Sequence, residues 1–450
     1  MKTERLDKII YIGLISIIAF TALAHGAVEA WSVAIFELLI VILLLLWAVK
    51  SLIEKHFELK VPLTVLPIMA FLLLGLIQSI SLTNDSGQLI SLSFDTQATQ
   101  STVKILFFLL VSHILAANIF KTQDRMQKPV IFLTIFGFVL AIFGLLQYFT
   151  WNGHLYWLRP AVVTTKGVIG PFVNHNHFAG YMELIVPFPI ALIITGAVNR
   201  HRMLYGFAAA MMAIALASSL SRGGIISLVG GLVFIIILGI DHNRRKFRAA
   251  PESSNVSNGF NWTTLINFGA LGLILGAILL GTLWIGSSPI IDRLTKNNVV
   301  GVDEKAESFE RSRGWIWKNS MTMFRMNSVS GVGMGAFETA YPKYSSDNNG
   351  LSQIVDRAHN DYLQVLTDTG LIGGAITVWF ILSLLFIVFR SLRSYDPFRG
   401  ALAIGCGAAI FSIMIHSIFD FNLQIPSTSI LFLVLTAVSA NLAGKRKECK

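Results

Sequence analysis

Apolar runs of roughly 20 residues recur along this whole chain, and a run of that length with few charges is what an α-helix needs to cross a bilayer's hydrocarbon core. In lipid every backbone N–H and C=O must be satisfied within the segment, so such runs fold as helices. They predict spans at 9–27, 32–52, 62–80, 103–120, 129–150, 178–198, 203–220, 224–240, 264–286, 371–390, 398–418 and 427–443. Of the 450 residues 54% are hydrophobic and only 13% are charged. A soluble domain carries about 25% charged residues. The expected fold class is therefore an all-α polytopic membrane protein of about 12 transmembrane helices, a single integral membrane domain over 1–450.

The loops test this count. With the N-terminus inside, Lys2, Arg5 and Lys8 precede the first span. Lys50, Lys55 and Lys60, then Lys121, Arg125 and Lys128, then Arg200 and Arg202, then Arg244, Arg245, Lys246 and Arg248, then Arg390, Arg393 and Arg399 fall in successive inside loops. Lys445, Arg446, Lys447 and Lys450 close the chain inside. These make 22 of the 35 basic residues, whereas the short outside loops hold only Lys104, Arg159, Lys166 and Arg222. The net charge of +10 is thus explained by topology, and its scatter over many loops argues against nucleic acid as a partner. The expected setting is a membrane crossed many times, with both termini on the inner side. The N-terminal stretch has the look of a signal peptide but is read as an uncleaved first helix. Two cysteines, Cys406 and Cys449, make neither a disulfide framework nor a metal cluster.

One outside segment, 287–370, is far longer than the others and is expected to form a large folded loop on the outer side between helices 9 and 10. Trp317, Met321 and Phe324 recur at helical spacing. A second loop helix is expected over 356–369, with Asp356 as N-cap, Ala358, Tyr362, Val365 and Leu366 as its apolar stripe, and Gly370 as its stop. No inside segment is large enough to bind a nucleotide.

Candidates for chemistry sit at outside positions. His359 lies in Ala358-His359-Asn360-Asp361-Tyr362, where a helix N-terminus keeps an imidazole neutral, as a general base requires; local pattern alone favours a histidine that merely caps or hydrogen-bonds a loop. Arg222 lies in a short Ser221-Arg222-Gly223 turn and suits a phosphate or a snorkelling arginine. Arg313 stands in a cationic, aromatic segment that also fits plain membrane anchoring. Glu37 and Glu183 fall inside spans, and Asp420 and His416 close another; ionisable groups there are functional suspects, or partners of a nearby arginine. His113, near mid-span, reads as hydrogen-bonded structure. Gly331-Val332-Gly333-Met334-Gly335 lacks the lysine of a phosphate loop and reads as a turn. The topology places Arg222, Arg313, His359, Glu183 and Asp420 at one face, a set suited to a lipid-anchored diphosphate and an incoming hydroxyl.

At these residues the chain resembles the bacterial O-antigen ligase and Wzy-type polysaccharide polymerase family, over about 160–440. The carriers are Arg313 four residues before Trp317, Gly331-Val332-Gly333-x-Gly335-x-Phe337, Ala358 to Gln364, Thr369-Gly370, and the turn Leu220-Ser221-Arg222-Gly223. The segments 170–180 and 416–426 are similar to those of exopolysaccharide polymerases. Thr369 departs from the family, which often carries Glu near that glycine. The resemblance implies an inverting, metal-independent membrane glycosyltransferase without cofactors, whose donor is a glycan on undecaprenyl diphosphate. Arg222 and Arg313 would hold the diphosphate and His359 would act on the acceptor hydroxyl, with Asn360, Glu183 and Asp420 contributing to substrate binding. The acceptor would be another glycan or a lipid A core. Membrane lipids surround such an enzyme, and a flippase and a chain-length regulator are the partners it would be expected to work beside. The alternative from another class is a multispanning transporter or flippase for lipid-linked sugars.

Overall fold

The computed structural model describes residues 2–83, 89–161, 167–248, 313–345, 355–394 and 396–444. Their elements are α1 (Lys2–Leu23), α2 (Ala30–Glu54), α3 (Val65–Gln78), α4 (Thr96–Ile119), α5 (Gln123–Phe149), α6 (His175–Glu183), α7 (Pro187–Ile194), α8 (Arg202–Ser218), α9 (Arg222–Arg248), α10 (Arg313–Met326), α11 (Phe337–Ala340), α12 (Asp361–Ser391), α13 (Pro397–His416) and α14 (Pro426–Ala443). Two small antiparallel hairpins complete them: β1 (Ser81–Thr83) with β2 (Leu89–Ser91), and β3 (His154–Leu155) with β4 (Arg159–Pro160). Among the described residues nine helices are long and apolar enough to cross a membrane, with α6 and α7 forming one span. The chain is an all-α polytopic membrane protein. The expected span 264–286 and the loop stretch 287–312 lie outside the described residues.

The helices sort by what they face. α2 and α12 carry dense leucine, isoleucine, valine and phenylalanine and expose much of that surface, as a lipid-facing helix does. The α6–α7 span is buried throughout and α14 nearly so, and both are less apolar than α2. Their neighbours are helices, so close packing decides their sequence and small residues serve it. The helices beside them pack as closely: on α13 a side chain at Gly405 would collide with Phe188 of α7 and one at Gly400 with His242 of α9, and on α9 one at Gly231 would collide with Ser412 of α13.

Antiparallel alternation gives the bundle two ends. At one, Arg390 donates to Ala443 O, Arg245 to Leu392 O and Asn441 to Phe120 O, among the loops rich in Lys and Arg. At the other, Ser427 N donates to Gly26 O, Asp361 N to Ser417 O and Val168 N to Ser218 O. The basic residues read as one side of the membrane thus gather at one end.

Two expected elements are corrected. The helix expected over 62–80 has 14 residues, about 21 Å of rise. It ends at buried Gln78, whose amide donates to Ser330 O (2.6 Å) and Asp368 O (3.0 Å) and accepts from Met334 N (3.0 Å). The polar loop reaches in to meet the short helix. The helix expected from Asp356 starts at Asp361, capped by Asn360, whose Oδ1 accepts from Leu363 N (3.0 Å). Gly370 (φ 62°) is non-helical and stops the loop helix there, as expected; the spanning helix follows across the kink, and the two are numbered together as α12.

The described part of the long loop is folded. Ile316, Met323, Val332, Phe337, Tyr341, Ala358 and Leu363 form a small core of its own. Gly331 and Gly335 turn with positive φ, and Val332 N and Gly333 N donate to Thr367 O and Asp368 O. A Cβ at Gly331 would stand 2.3 Å from the Asp368 backbone, so the glycine-rich stretch is a close-approach turn, as its composition indicated.

Candidate functional site

The centre of the site is the short connection between α13 and α14. Phe419 N and Asp420 N both donate to His416 O (2.7 and 3.0 Å), which folds the connection back on the end of α13. Asp361, first residue of α12, grips it on either side of Asp420. Its backbone N donates to Ser417 O (2.8 Å), and its carboxylate accepts from Ser417 Oγ (2.9 Å), Leu423 N (3.3 Å) and Gln424 Nε2 (3.1 Å).

So held, the Asp420 carboxylate is 1% exposed and lies between two groups from distant segments: it accepts from Arg313 Nη2 at 3.0 Å and from His359 Nδ1 at 3.3 Å. Arg313 opens α10, and Trp317, one turn on, donates its indole N–H to Ala358 O at 3.0 Å, beside His359. The four-residue spacing therefore has a physical reason: one helix face carries both the arginine that reaches Asp420 and the tryptophan that fixes the segment bearing His359. His359 stands two residues before α12, with φ +50°, not in its first turn as expected. Burial opposes the charge on Asp420, but the hydrogen bond from His359 and the charge of Arg313 overcome it and hold the carboxyl far below the usual carboxylate range. An ionised carboxylate only accepts, so in the neutral imidazole Nδ1 carries the proton and Nε2 keeps its lone pair. The side chains of Arg313 and His359 are 39% and 25% exposed, so both remain accessible above the buried anion. The Phe421 ring stands edge-on between the His359 and His177 rings, at 5.0 and 5.2 Å.

The arginine turn adjoins this cluster. Leu220 (φ +61°) reverses the chain between α8 and α9, Ser221 Oγ accepts from Gly224 N (3.1 Å), and half-buried Arg222 opens α9. Gly223 rests on the His416 ring and on Phe419 so closely that a Cβ there would come within 2.9 Å of both. Glu183, at the end of α6 and fully buried, accepts from His416 Nδ1 at 3.0 Å.

The structure thus joins Arg313, His359 and Asp420 directly, sets Asn360 beside His359 as the cap of α12, and packs the Arg222 turn against the segment that carries Asp420. Glu183 lies one layer deeper, against His416. Glu37 pairs with Lys104 (3.1 Å), and His113 is engaged on both ring nitrogens, by Thr64 Oγ1 (2.9 Å) and Leu433 O (2.8 Å). Sequence reasoning missed Asp361, Gln78 and Asp368. In α12 the buried face is polar (Asp361, Gln364, Thr367, Asp368), a stripe at helical spacing that a sequence offers as a solvated face. Among the described residues no group of three or more His, Cys, Asp or Glu is arranged to hold a metal ion.

Residues 207–378 match a family model described as O-Antigen ligase, a stretch that contains Arg222, Arg313 and His359. A search of curated proteins finds no match.

Proposed function

We propose, from the premise that this chain carries an O-antigen ligase domain over 207–378, that it transfers a glycan from undecaprenyl diphosphate to an acceptor glycan or lipid A core at the periplasmic face of a bacterial inner membrane. The observation that carries this reading is the single buried carboxylate, Asp420, that binds an arginine and a histidine from separate segments while leaving both open outward. The gathering of basic residues at the opposite end supports cytoplasmic termini, with 287–370 as a periplasmic loop of one membrane domain.

In this mechanism Arg222 and Arg313 hold the diphosphate. Arg313 has donors to spare after its bond to Asp420. His359 Nε2 takes the proton of the acceptor hydroxyl, whose oxygen forms a bond to the anomeric carbon of the donor sugar. The bond from that carbon to the phosphate oxygen breaks, and the diphosphate leaves with the electron pair, its charge stabilised by the two guanidinium groups. A single displacement inverts the anomeric centre. Asp420 orients His359 and stabilises the imidazolium that forms. The glycosyl–phosphate bond supplies the driving force, and no metal or cofactor takes part. The segments 170–180 and 416–426 favour polymer extension over ligation.

The test is cell-surface glycan in strains carrying His359→Ala or Arg222→Ala at normal expression. Each is expected to lower full-length product by about a hundredfold or more. Full-length product from both variants would end the transferase reading, and lipid-linked units trapped on the inner leaflet would favour a flippase instead. In vitro, transfer is expected to be unchanged by chelator; a loss restored by divalent metal would overturn the metal-free mechanism.

A further inference from the structure

His416 is a buried imidazole that the mechanism above does not use, yet it touches three parts of the site. Its Nδ1 faces Glu183 Oε2 at 3.0 Å, its Nε2 faces Ser221 Oγ at 3.5 Å, and its carbonyl accepts from Asp420 N at 3.0 Å. The ring also supports Gly223, where a side chain would collide with Cδ2 at 2.6 Å and Nε2 at 2.9 Å. The proton directions agree along the chain of bonds. Gly224 N–H donates to Ser221 Oγ, which is then free to donate to His416 Nε2, while His416 Nδ1–H donates to Glu183. Arg222 lies between Ser221 and Gly223, so both of its chain neighbours rest on this one ring.

We infer that His416, held by Glu183, is a positioning residue that fixes the Ser221-Arg222-Gly223 turn at a set distance from the Asp420–Arg313–His359 cluster, so that Arg222 and Arg313 can grip one diphosphate together. The inference rests on the proposed reading of Arg222 as a diphosphate ligand. Neither His416 nor Glu183 touches substrate; both side chains have no exposed surface. Glu183 then acts on the glycan donor through the imidazole instead of by contact. Orientation of a binding group by a buried partner is the same device by which a carboxylate sets the ring of a ligating histidine. A displacement of about 1 Å in a phosphate-gripping arginine is enough to forfeit most of a bidentate contact.

The experiment measures binding of undecaprenyl diphosphate, without a glycan, to the purified full chain in lipid nanodiscs. Arg222→Ala is expected to weaken binding about tenfold or more, as loss of a charge-assisted contact does. His416→Ala and Gly223→Ala are each expected to weaken it about fivefold or more, and Ser221→Ala by about twofold to fivefold. His416→Asn, whose amide can still donate to Glu183, is expected to recover part of the loss. The decisive readout is the double variant His416→Ala/Arg222→Ala, which is expected to bind no more weakly than Arg222→Ala alone. Positioning acts only through the arginine, whereas a general structural defect multiplies with it. Independent, multiplying effects would overturn the inference, and so would a Kd within twofold of wild type for His416→Ala at an unchanged Tm. Should His416→Ala fail to fold, Ser221→Ala and Gly223→Ala decide, and wild-type binding by both would overturn it. Unchanged binding by Arg222→Ala instead refutes the role of the arginine itself, and so separates failure of the proposed function from failure of the positioning role.

Discussion

Asp420 and Asp7 are two carboxylates with the same apparent task at opposite ends of the bundle. Asp7 pairs with Lys50 (2.7 Å) and accepts from Arg125 (2.9 Å), joining α1, α2 and α5; Asp420 accepts from Arg313 and His359, joining α10, the segment before α12 and the α13–α14 connection. Both tie three segments through one anion. They differ in partners and in depth. Lysine and arginine stay protonated throughout the physiological range, so the Asp7 trio has no base to offer. Around Asp420 one partner is an imidazole whose second nitrogen has no hydrogen bond among the described residues, and the anion beneath it is 1% exposed, against 15% for Asp7. An ion-paired carboxylate is therefore no mark of chemistry. A buried one that orients a titratable base is.

The comparison breaks most readily at Asp420→Asn. The amide keeps the shape but cannot stabilise an imidazolium and can turn its N–H toward His359. Transfer is expected to fall by about a hundredfold or more, whereas Asp7→Asn is expected to leave surface glycan within about twofold of wild type. Equal losses would erase the distinction.

Acidification sharpens it. The folded pKa of Asp420 is depressed, so its contribution to stability is full above the unfolded carboxylate value of about 3.9 and is lost only as pH falls through the lower folded value. The difference in Tm between wild type and Asp420→Asn is thus expected to hold from pH 8 down to about 4 and to narrow below it. A difference that closes between pH 7 and 5 would show Asp420 to be ordinary.

A smaller effect is expected at Trp317→Phe, which keeps the ring and removes the N–H that holds Ala358 O. One hydrogen bond of about 1 kcal/mol corresponds to a transfer rate about threefold to tenfold lower at unchanged expression. The smallest belongs to Asp7→Asn again, now as stability. With side chains 15–28% exposed, the trio is expected to contribute about 1 kcal/mol or less, read as a small shift in Tm.

Much of this was legible in the residues themselves. Runs of lipid length predicted the nine long apolar helices of the described residues, and Lys and Arg placement predicted the two ends, because a bilayer imposes the same rule on every segment. The glycine-rich turn and α10 read correctly from local chemistry. Boundaries failed where distant segments intervened. α3 stops early because its end meets Ser330, Met334 and Asp368, some 250 residues away in the chain. The start of α12 moved from Asp356 to Asp361 because Asn360 caps it. Asp361 and Gln364 are buried because the α13–α14 connection and Ala358 supply their partners, which no local pattern encodes.

The chain by itself determined a multi-pass helical bundle and put its candidate residues at one end, since hydrophobic length and charge bias are properties of each segment taken alone. Only tertiary structure decided that Asp420 is the anion shared by Arg313 and His359, that Glu183 answers to His416, and that Ser221 and Gly223, on either side of Arg222, rest on the same imidazole. Those are contacts between residues tens to hundreds of positions apart, and no local period or propensity encodes which of several outward-facing ions will meet.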